Sequence, residues 1–419
     1  MRRSLIAVIA LSTVAGSAFS QTEYNLKHES TEFVQGFGRV DGILFGGMSG
    51  IDYDPQSKFW YTVSKDAGES APVRFFAMDI RFDEYGHLNF TSDEVQLLNH
   101  PDGTLIEAGT HTPSSVRIIP PDPIGDEPYL VWTSEGVLKD GNKAGVFEMC
   151  TGASFMDGFE IAEYTDFVPD AGGPRVDMAY ESIALLPNME IIAGFEQALV
   201  QDGPIAKTGS GTTYARLLHL DYFKANQIGE MAYPLEEPDA DEGEGAVRSL
   251  VDLVAVDEGT LLAIENIEVP ATGRIRDVTT ELYLVELGGA TDIMGTESLA
   301  NLVAGTDFVP VTKTFLGDNE SMGELRRVPF RGMTFGPMFE DGRASIILIS
   351  DNDCDQYQNT YIALLSIENI QPRRPFVKEG GRAYEARDID SVQATPERFR
   401  IIREQKKKAG EETPQLGSG

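Results

Sequence analysis

The stretch GGMSGIDYDPQSKFWYTVSKD, residues 46–66, has the same order of parts as GMTFGPMFEDGRASIILISDND, residues 332–353. Each holds a short β-rich run, a turn marked by Pro, Gly or Asp, a second β-rich run, and carboxylates at its foot. Three further copies lie between them. PSSVRIIP opens the second and YLVWTSEG closes it (113–136); YESIALLPNMEIIAGFEQ is the third (180–197); RSLVDLVAVDEGTLLAIEN is the fourth (248–266). Further strand-like runs follow the copies: RFFAMDIRF from Arg74, AGVFEMC from Ala144, YARLLHLDY from Tyr214, TELYLVELG from Thr280 and TYIALLSIE from Thr360. A unit of strand, tight turn, strand, loop and strand, repeated at intervals of roughly 50–70 residues, describes a propeller blade better than a sandwich. Parallel α/β folds need helical patterns between the strands, and none precedes the C-terminus. The expected fold is therefore all-β, a single propeller. Five copies, with the irregular 293–310 region or a blade closed by an N-terminal strand, lead us to expect six blades.

The flanks read differently. MRRS, an apolar LIAVIALSTVAG and the small residues SAFS form a secretory leader over residues 1–20, so the chain is expected to be periplasmic or secreted. Residues 21–32 read as a lead-in, 33–370 as the propeller and 371–419 as a tail. The tail should carry a helix over 395–410, capped by Thr395 with Pro396 in its first turn. The leader's apolar run is too short to span a bilayer, and no later stretch approaches the ~20 residues a membrane helix needs. A net charge of −33 speaks against nucleic acid and anionic lipid as partners, because both require a positive surface. Cys150 and Cys354 are too few for a disulfide scaffold. In an oxidising compartment they are expected to pair or lie close.

The ordered series GGMSGIDYDP with FWYTVSKD, YESIALLPN with IIAGFEQAL, and GMTFGP with DGRASIILISDND resembles the phytase-like family, also described as esterase-like activity of phytase. The resemblance covers roughly residues 33–367. It implies a β-propeller of exported proteins. Several copies depart from the family's wording. Its usual Glu-Gly head is Ser114-Ser115 in the second copy, Glu181-Ser182 in the third and Arg331-Gly332 in the fifth, and its usual Glu-Arg foot is Glu265-Asn266 in the fourth.

In a propeller, equivalent positions of successive blades converge on one channel, which gives the repeated carboxylates a use. The expected metal donors are Asp66, Glu135, Glu181, Glu196, Glu265, Asp351 and Asp353, with Asn352 and Asn266 as neutral oxygen ligands. A set of hard oxygens suits Ca²⁺, whereas zinc is disfavoured because the five histidines are not spaced as ligand pairs. Glu181 and Glu196 stand at the head and foot of one hairpin and, with His111 as a base near the mouth, are the expected catalytic groups. Lys65, Arg175, Arg248 and Arg331 lie beside the copies and are expected to bind an anionic substrate. Turn capping and ion pairing are the competing explanation for the same acids and cations. Ser49 lacks the strand-to-helix setting of a nucleophile elbow. The expected function is a Ca²⁺-dependent hydrolase of small phosphate or carboxylic esters. A lactonase-like propeller enzyme and a non-catalytic scaffold are the alternatives.

Overall fold

In this computed structural model the described residues are 23–391, apart from 67–70, 101, 122–127, 151–154, 170, 271–276, 324 and 379–382. The repeated sequence folds as the inner hairpins of five antiparallel four-stranded sheets. Blade 1 comprises Met48–Tyr53, Trp60–Ser64, Arg74–Phe82 and Leu88–Leu97. Blade 2 comprises Pro113–Ile119, Tyr129–Ser134, Gly145–Cys150 and Phe155–Gly158. Blade 3 comprises Tyr180–Leu185, Glu190–Phe195, Thr213–Asp221 and Asn226–Leu235. Blade 4 comprises Val247–Ala255, Thr260–Glu268, Val278–Glu286 and Thr312–Asp318. Blade 5 takes Phe330–Phe335, Ala344–Ser350 and Thr360–Ile367 from the end of the repeat and its outermost strand, Leu26–Val34, from the start of the chain.

The propeller thus has five blades, not six. The N-terminal strand completes the fifth blade, pairing Leu26 with Ile367 and Val34 with Thr360. The 293–310 region forms no sheet of its own. It folds over the outer strand of blade 3, where the Ile293 and Val311 N–H groups donate to the Glu230 and Ala232 carbonyls, and Ile293, Leu299 and Phe308 pack on Ala232. The inner strands of neighbouring blades lie side by side all the way round, blade 5 against blade 1 included. The ring is tight. A Cβ on Gly50 would sit 2.6 Å from the Ser115 Cα, and one on Gly332 would sit 3.0 Å from the Gly50 Cα. Only residues without a side chain permit that approach.

Each blade is covered by its neighbours, so the inner strands are buried on both sides. Trp60 and Trp132 are fully buried between blades, and the Trp60 indole N–H is satisfied by the Ile80 carbonyl at 3.1 Å. Burying an aromatic side chain of this kind contributes about 2–3 kcal/mol, which explains why the apolar sites of the second strands recur in every blade.

Where the inner strands end, the channel is closed by a polar network. Asp252 accepts from Ser115 Oγ at 2.7 Å, Arg117 at 3.0 Å and the Met333 N–H at 2.7 Å. Asp52 accepts from the Ile118 N–H at 2.8 Å, Thr334 Oγ1 at 2.7 Å and Arg374 at 2.9 Å. Arg374 belongs to a hairpin, Arg373–Val377 with Tyr384–Asp388, that follows the propeller. The other end of the channel, where the inner strands begin, is where the candidate site lies.

Among the described residues, helices are single 3₁₀ turns, and none is long and apolar enough to cross a membrane. The expected leader and the expected helix at 395–410 lie outside the described residues. No disulfide joins the cysteines: Cys150 ends the third strand of blade 2, whereas Cys354 sits in the turn after the second strand of blade 5. They belong to different blades, which the repeat could have told but oxidation chemistry alone could not.

Candidate functional site

Every inner strand carries an irregularity at the same place. In blades 1, 3, 4 and 5 the pairing skips one residue, so that Ser49, Glu181, Val251 and Arg331 have no partner on the second strand. In blade 2 the shift falls across Ser114 and Ser115. A bulge re-aims the side chain of its extra residue. In blades 3 and 5 the re-aimed residues are a glutamate and an arginine, and they meet: Arg331 Nη1 donates to Glu181 Oε1 at 3.0 Å. In blade 1 the re-aimed Ser49 is buried and donates to the Pro113 carbonyl at 2.9 Å, which fixes it as a link between blades 1 and 2.

The second strands give the site its remaining members. Counting from the residue paired just before each bulge, the next position is Lys65 in blade 1, Glu135 in blade 2, Glu196 in blade 3, Asn266 in blade 4 and Asp351 in blade 5. The backbone holds these positions alike: the N–H groups of Lys65, Glu135, Glu196 and Asp351 donate to the Gly47, Thr112, Ala179 and Pro329 carbonyls. Asn266 is committed elsewhere, donating to the Phe330 carbonyl at 2.9 Å and accepting from Thr280 Oγ1 at 3.0 Å, so the site is built from the other four positions plus the two re-aimed residues.

Its geometry is compact. Glu181 comes from a bulged first strand and Glu135 and Glu196 from the ends of two second strands, yet each places a carboxylate oxygen within 4.8 Å of the others. Lys65 Nζ lies 2.9 Å from both Glu181 oxygens and 3.1 Å from Glu135 Oε2. Arg331 lies 3.8 Å from Glu196 and 3.6 Å from Glu268. The Glu181 side chain is fully buried, whereas those of Lys65 and Arg331 remain 15% and 10% exposed, so the cations lie nearer solvent than the three clustered glutamates.

The three glutamates differ electrostatically. Burial pushes the Glu135 carboxyl up to about 8; Lys65 opposes that shift, and the neighbouring Glu181 and Glu196 charges reinforce it. Burial, then the Glu181 charge, also raises Glu196. Burial works against the charged form of Glu181 as well, but Lys65 and Arg331 outweigh it and hold this carboxyl below its usual range. A hydrogen bond also joins Glu135 to Glu181. Burial and the adjacent Asp353 push Asp351 up to about 6. The acids thus outnumber the cations, and the shortfall of positive charge falls on Glu135 and Glu196.

The other expected site residues are engaged elsewhere. Asp66, one position beyond Lys65, pairs with the buried Arg74 at 2.8 Å. Asn352, one beyond Asp351, accepts from the Gly47 N–H at 2.8 Å and staples blade 5 to blade 1. Glu265, one before Asn266, turns into a separate cluster with Arg248 at 2.9 Å, Tyr233 at 2.7 Å and Lys313 at 2.6 Å. Arg248 is committed there, and Arg175 donates to the Ala198 and Gly203 carbonyls. His111 packs among Trp132 and Phe147 in blade 2, its Nδ1 2.9 Å from Thr110 Oγ1, and burial lowers its pKa to about 4. It is neutral at ordinary pH and lies outside the acid cluster. Of the expected set, the structure brings together Lys65, Glu135, Glu181, Glu196, Arg331 and Asp351. Sequence reasoning missed Glu268, near Arg331, and Ser249, hydrogen-bonded to Glu196. Ser249 flanks the fourth copy's head, a signal that was readable.

Residues 43–354 match the family described as Phytase-like: Esterase-like activity of phytase. The chain belongs to this family. No curated protein matches it. Among solved structures it is similar to an exo-β-1,3-galactanase from Phanerochaete chrysosporium, with 10% identity, TM-score 0.42, and coverage of 84% of this chain and 66% of that one. A thermostable family-43 glycoside hydrolase matches with 9% identity, TM-score 0.39, and coverage of 90% and 98%. The N-terminal domain of Nup159 matches with 9% identity, TM-score 0.32, and coverage of 82% and 96%. These distant likenesses assign no chemistry. In this member of the phytase-like family the chemistry has to be argued from the ring itself, whose buried acidic triad could hold a metal ion.

Proposed function

We propose that this phytase-like protein is an exported hydrolase of small phosphate or carboxylic esters, with its active site at the ring of Lys65, Glu135, Glu181, Glu196, Asp351 and Arg331, and with Ca²⁺ as its cofactor. The observation that carries this reading is the convergence of three carboxylates, one from blade 2 and two from blade 3, within 4.8 Å at the channel mouth. That spacing fits a hard cation, whose oxygen ligands lie at roughly 2.3–2.6 Å. The raised Glu135 carboxyl, which lacks a sufficient counter-charge, fits it too. Glu135, Glu181 and Glu196 would hold the ion. A bound divalent ion supplies polarisation of the scissile group and a more acidic water.

The chain's own residues do the rest. Arg331 and Lys65, nearer solvent than the three clustered glutamates, receive and orient the anionic or polarised oxygen of the ester. Among the triad Glu196 is the acid least committed to a cation, with Arg331 at 3.8 Å, so it is placed to take or return a proton. Asp351, set at about 6 beside them, supplies a second titrating carboxyl.

One observation favours a scaffold instead: Lys65 and Arg331 already neutralise Glu181 without any ion. The deciding experiment measures turnover of phosphate monoesters, aryl esters and lactones with Ca²⁺ and with chelator. Turnover that needs the ion and falls at least a hundredfold in Glu196→Gln supports the enzyme. No turnover in any class, with or without the ion, leaves the scaffold.

A further inference from the structure

We propose that Lys65 is a built-in competitor of the metal ion, and that the ion, on binding, releases it to receive the anionic group of a phosphate-bearing substrate. This deepens the reading above and rests on its claim that the triad binds Ca²⁺.

At the equivalent positions blades 2, 3 and 5 supply the carboxylates Glu135, Glu196 and Asp351, and blade 1 alone supplies a cation. Lys65 Nζ lies 2.9 Å from both Glu181 oxygens and 3.1 Å from Glu135 Oε2. Two of the three triad members thus already present their oxygens to one positive centre, as they would to an ion. An ammonium and a divalent ion cannot share those oxygens, because both would then stand within a few ångströms of each other in a buried site. Binding of the ion therefore requires the ammonium to leave.

Lys65 is built to leave. Its stem is four flexible methylenes carrying a point charge, and its side chain is more exposed than those of the triad and of Arg331. Arg331 is held differently. Its Nη1 is tied to Glu181, its Nη2 has Glu268 only at 3.6 Å, and its buried Nε has no hydrogen-bond partner. A guanidinium with an unsatisfied donor, beside an ammonium displaced toward solvent, makes a receptor for a group with several anionic oxygens. A phosphate meets that description; a neutral carboxylic ester does not.

The first test is calorimetric titration of CaCl₂ into the full chain, as wild type and as Lys65→Met, which keeps the length of the stem and removes the charge. The variant should bind at least tenfold more tightly. A second measurement uses the unmodified protein: brief acylation with an amine-reactive reagent, with the labelled residue mapped by mass spectrometry. Lys65 should label several-fold faster in saturating Ca²⁺ than in chelator. Inorganic phosphate should bind the wild type only in the presence of Ca²⁺, and Lys65→Met should lose that binding. Equal Ca²⁺ affinity in the two proteins, or Lys65 labelling that Ca²⁺ leaves unchanged, overturns the competition while the metal site stands. Phosphate binding indifferent to Ca²⁺ or to Lys65 overturns the receptor. No Ca²⁺ binding by either protein removes this proposal and the metal reading together.

Discussion

Glu181 and Glu135 are neighbours of the same residue type with opposite electrostatic fates, and substitution should separate them. Glu181 is the shared counter-charge of two buried cations, so Glu181→Gln leaves Lys65 and Arg331 without it. Breaking a buried ion pair from one side typically costs about 3–5 kcal/mol. Urea unfolding at neutral pH should show a loss of that order. Glu135 is different because burial raises its carboxyl to about 8 from an unfolded value near 4.5. Its contribution is fully present below the unfolded value and is lost as pH rises through about 8. Glu135→Gln lacks that loss, so its stability relative to wild type should increase between pH 5 and pH 8; a flat difference would show that Glu135 ionises freely. His111 carries the opposite sign. Its pKa is lowered to about 4, so its contribution is present above about 6.5 and is lost as pH falls through 4, by at most about 3 kcal/mol. Thermal melts of His111→Phe at pH 5 and pH 7 should differ less than those of wild type.

The element that organises the site is the bulged inner hairpin, and it marks how far the sequence could be read. Five glycine- or serine-marked heads, five turns and five acidic or amide feet were legible, and the structure brings together four of the residues they named, Glu135, Glu181, Glu196 and Asp351. What was not legible was the register. Matching carboxylate to carboxylate selects Asp66 and Glu265, whereas strand pairing selects Lys65 and Asn266, one residue away in each case. A shift of one residue sends a strand side chain to the other face, and composition carries no record of it. The blade count failed for a related reason: the strand that closes blade 5 pairs across more than three hundred residues, and its sequence, LKHESTEFV, has no repeat signature. The tightness of the ring yields a prediction at this scale. Gly50→Ala would put a methyl group 2.6 Å from the Ser115 Cα, a contact with backbone that no rotamer relieves. Overpacking of this kind costs about 1–3 kcal/mol, and an inter-blade backbone contact belongs at the upper end. Urea midpoints should fall accordingly in Gly50→Ala, while an alanine at the uncrowded Gly209, which is left-handed at φ 86°, should cost only the smaller backbone strain.

At the scale of the whole molecule, closure and charge act against each other. The ring is shut by the Leu26–Val34 strand, and the far end of its channel by the Arg374–Asp52 contact, so the propeller should unfold as a unit once either is lost. Against this stands a net charge of −33, which repels itself over the entire surface. Any salt relieves part of that repulsion, so stabilisation by Ca²⁺ alone would not distinguish a site from screening. The two differ in dose and in location. Screening follows ionic strength, with a reach of about 10 Å at 0.1 M, and NaCl supplies it as well as CaCl₂ does at matched ionic strength. Site binding follows mass action and contributes about 2.7 kcal/mol at a hundred times the dissociation constant. Glu196 separates the cases, since it offers one of the three clustered oxygens while its nearest cation, Arg331, is 3.8 Å away, so removing its charge strands no buried partner. Millimolar CaCl₂ should raise the melting temperature of wild type beyond matched NaCl, and Glu196→Gln should keep the NaCl response while losing the excess. If Glu196→Gln retains the full excess, the ion binds somewhere on the acidic surface other than this ring.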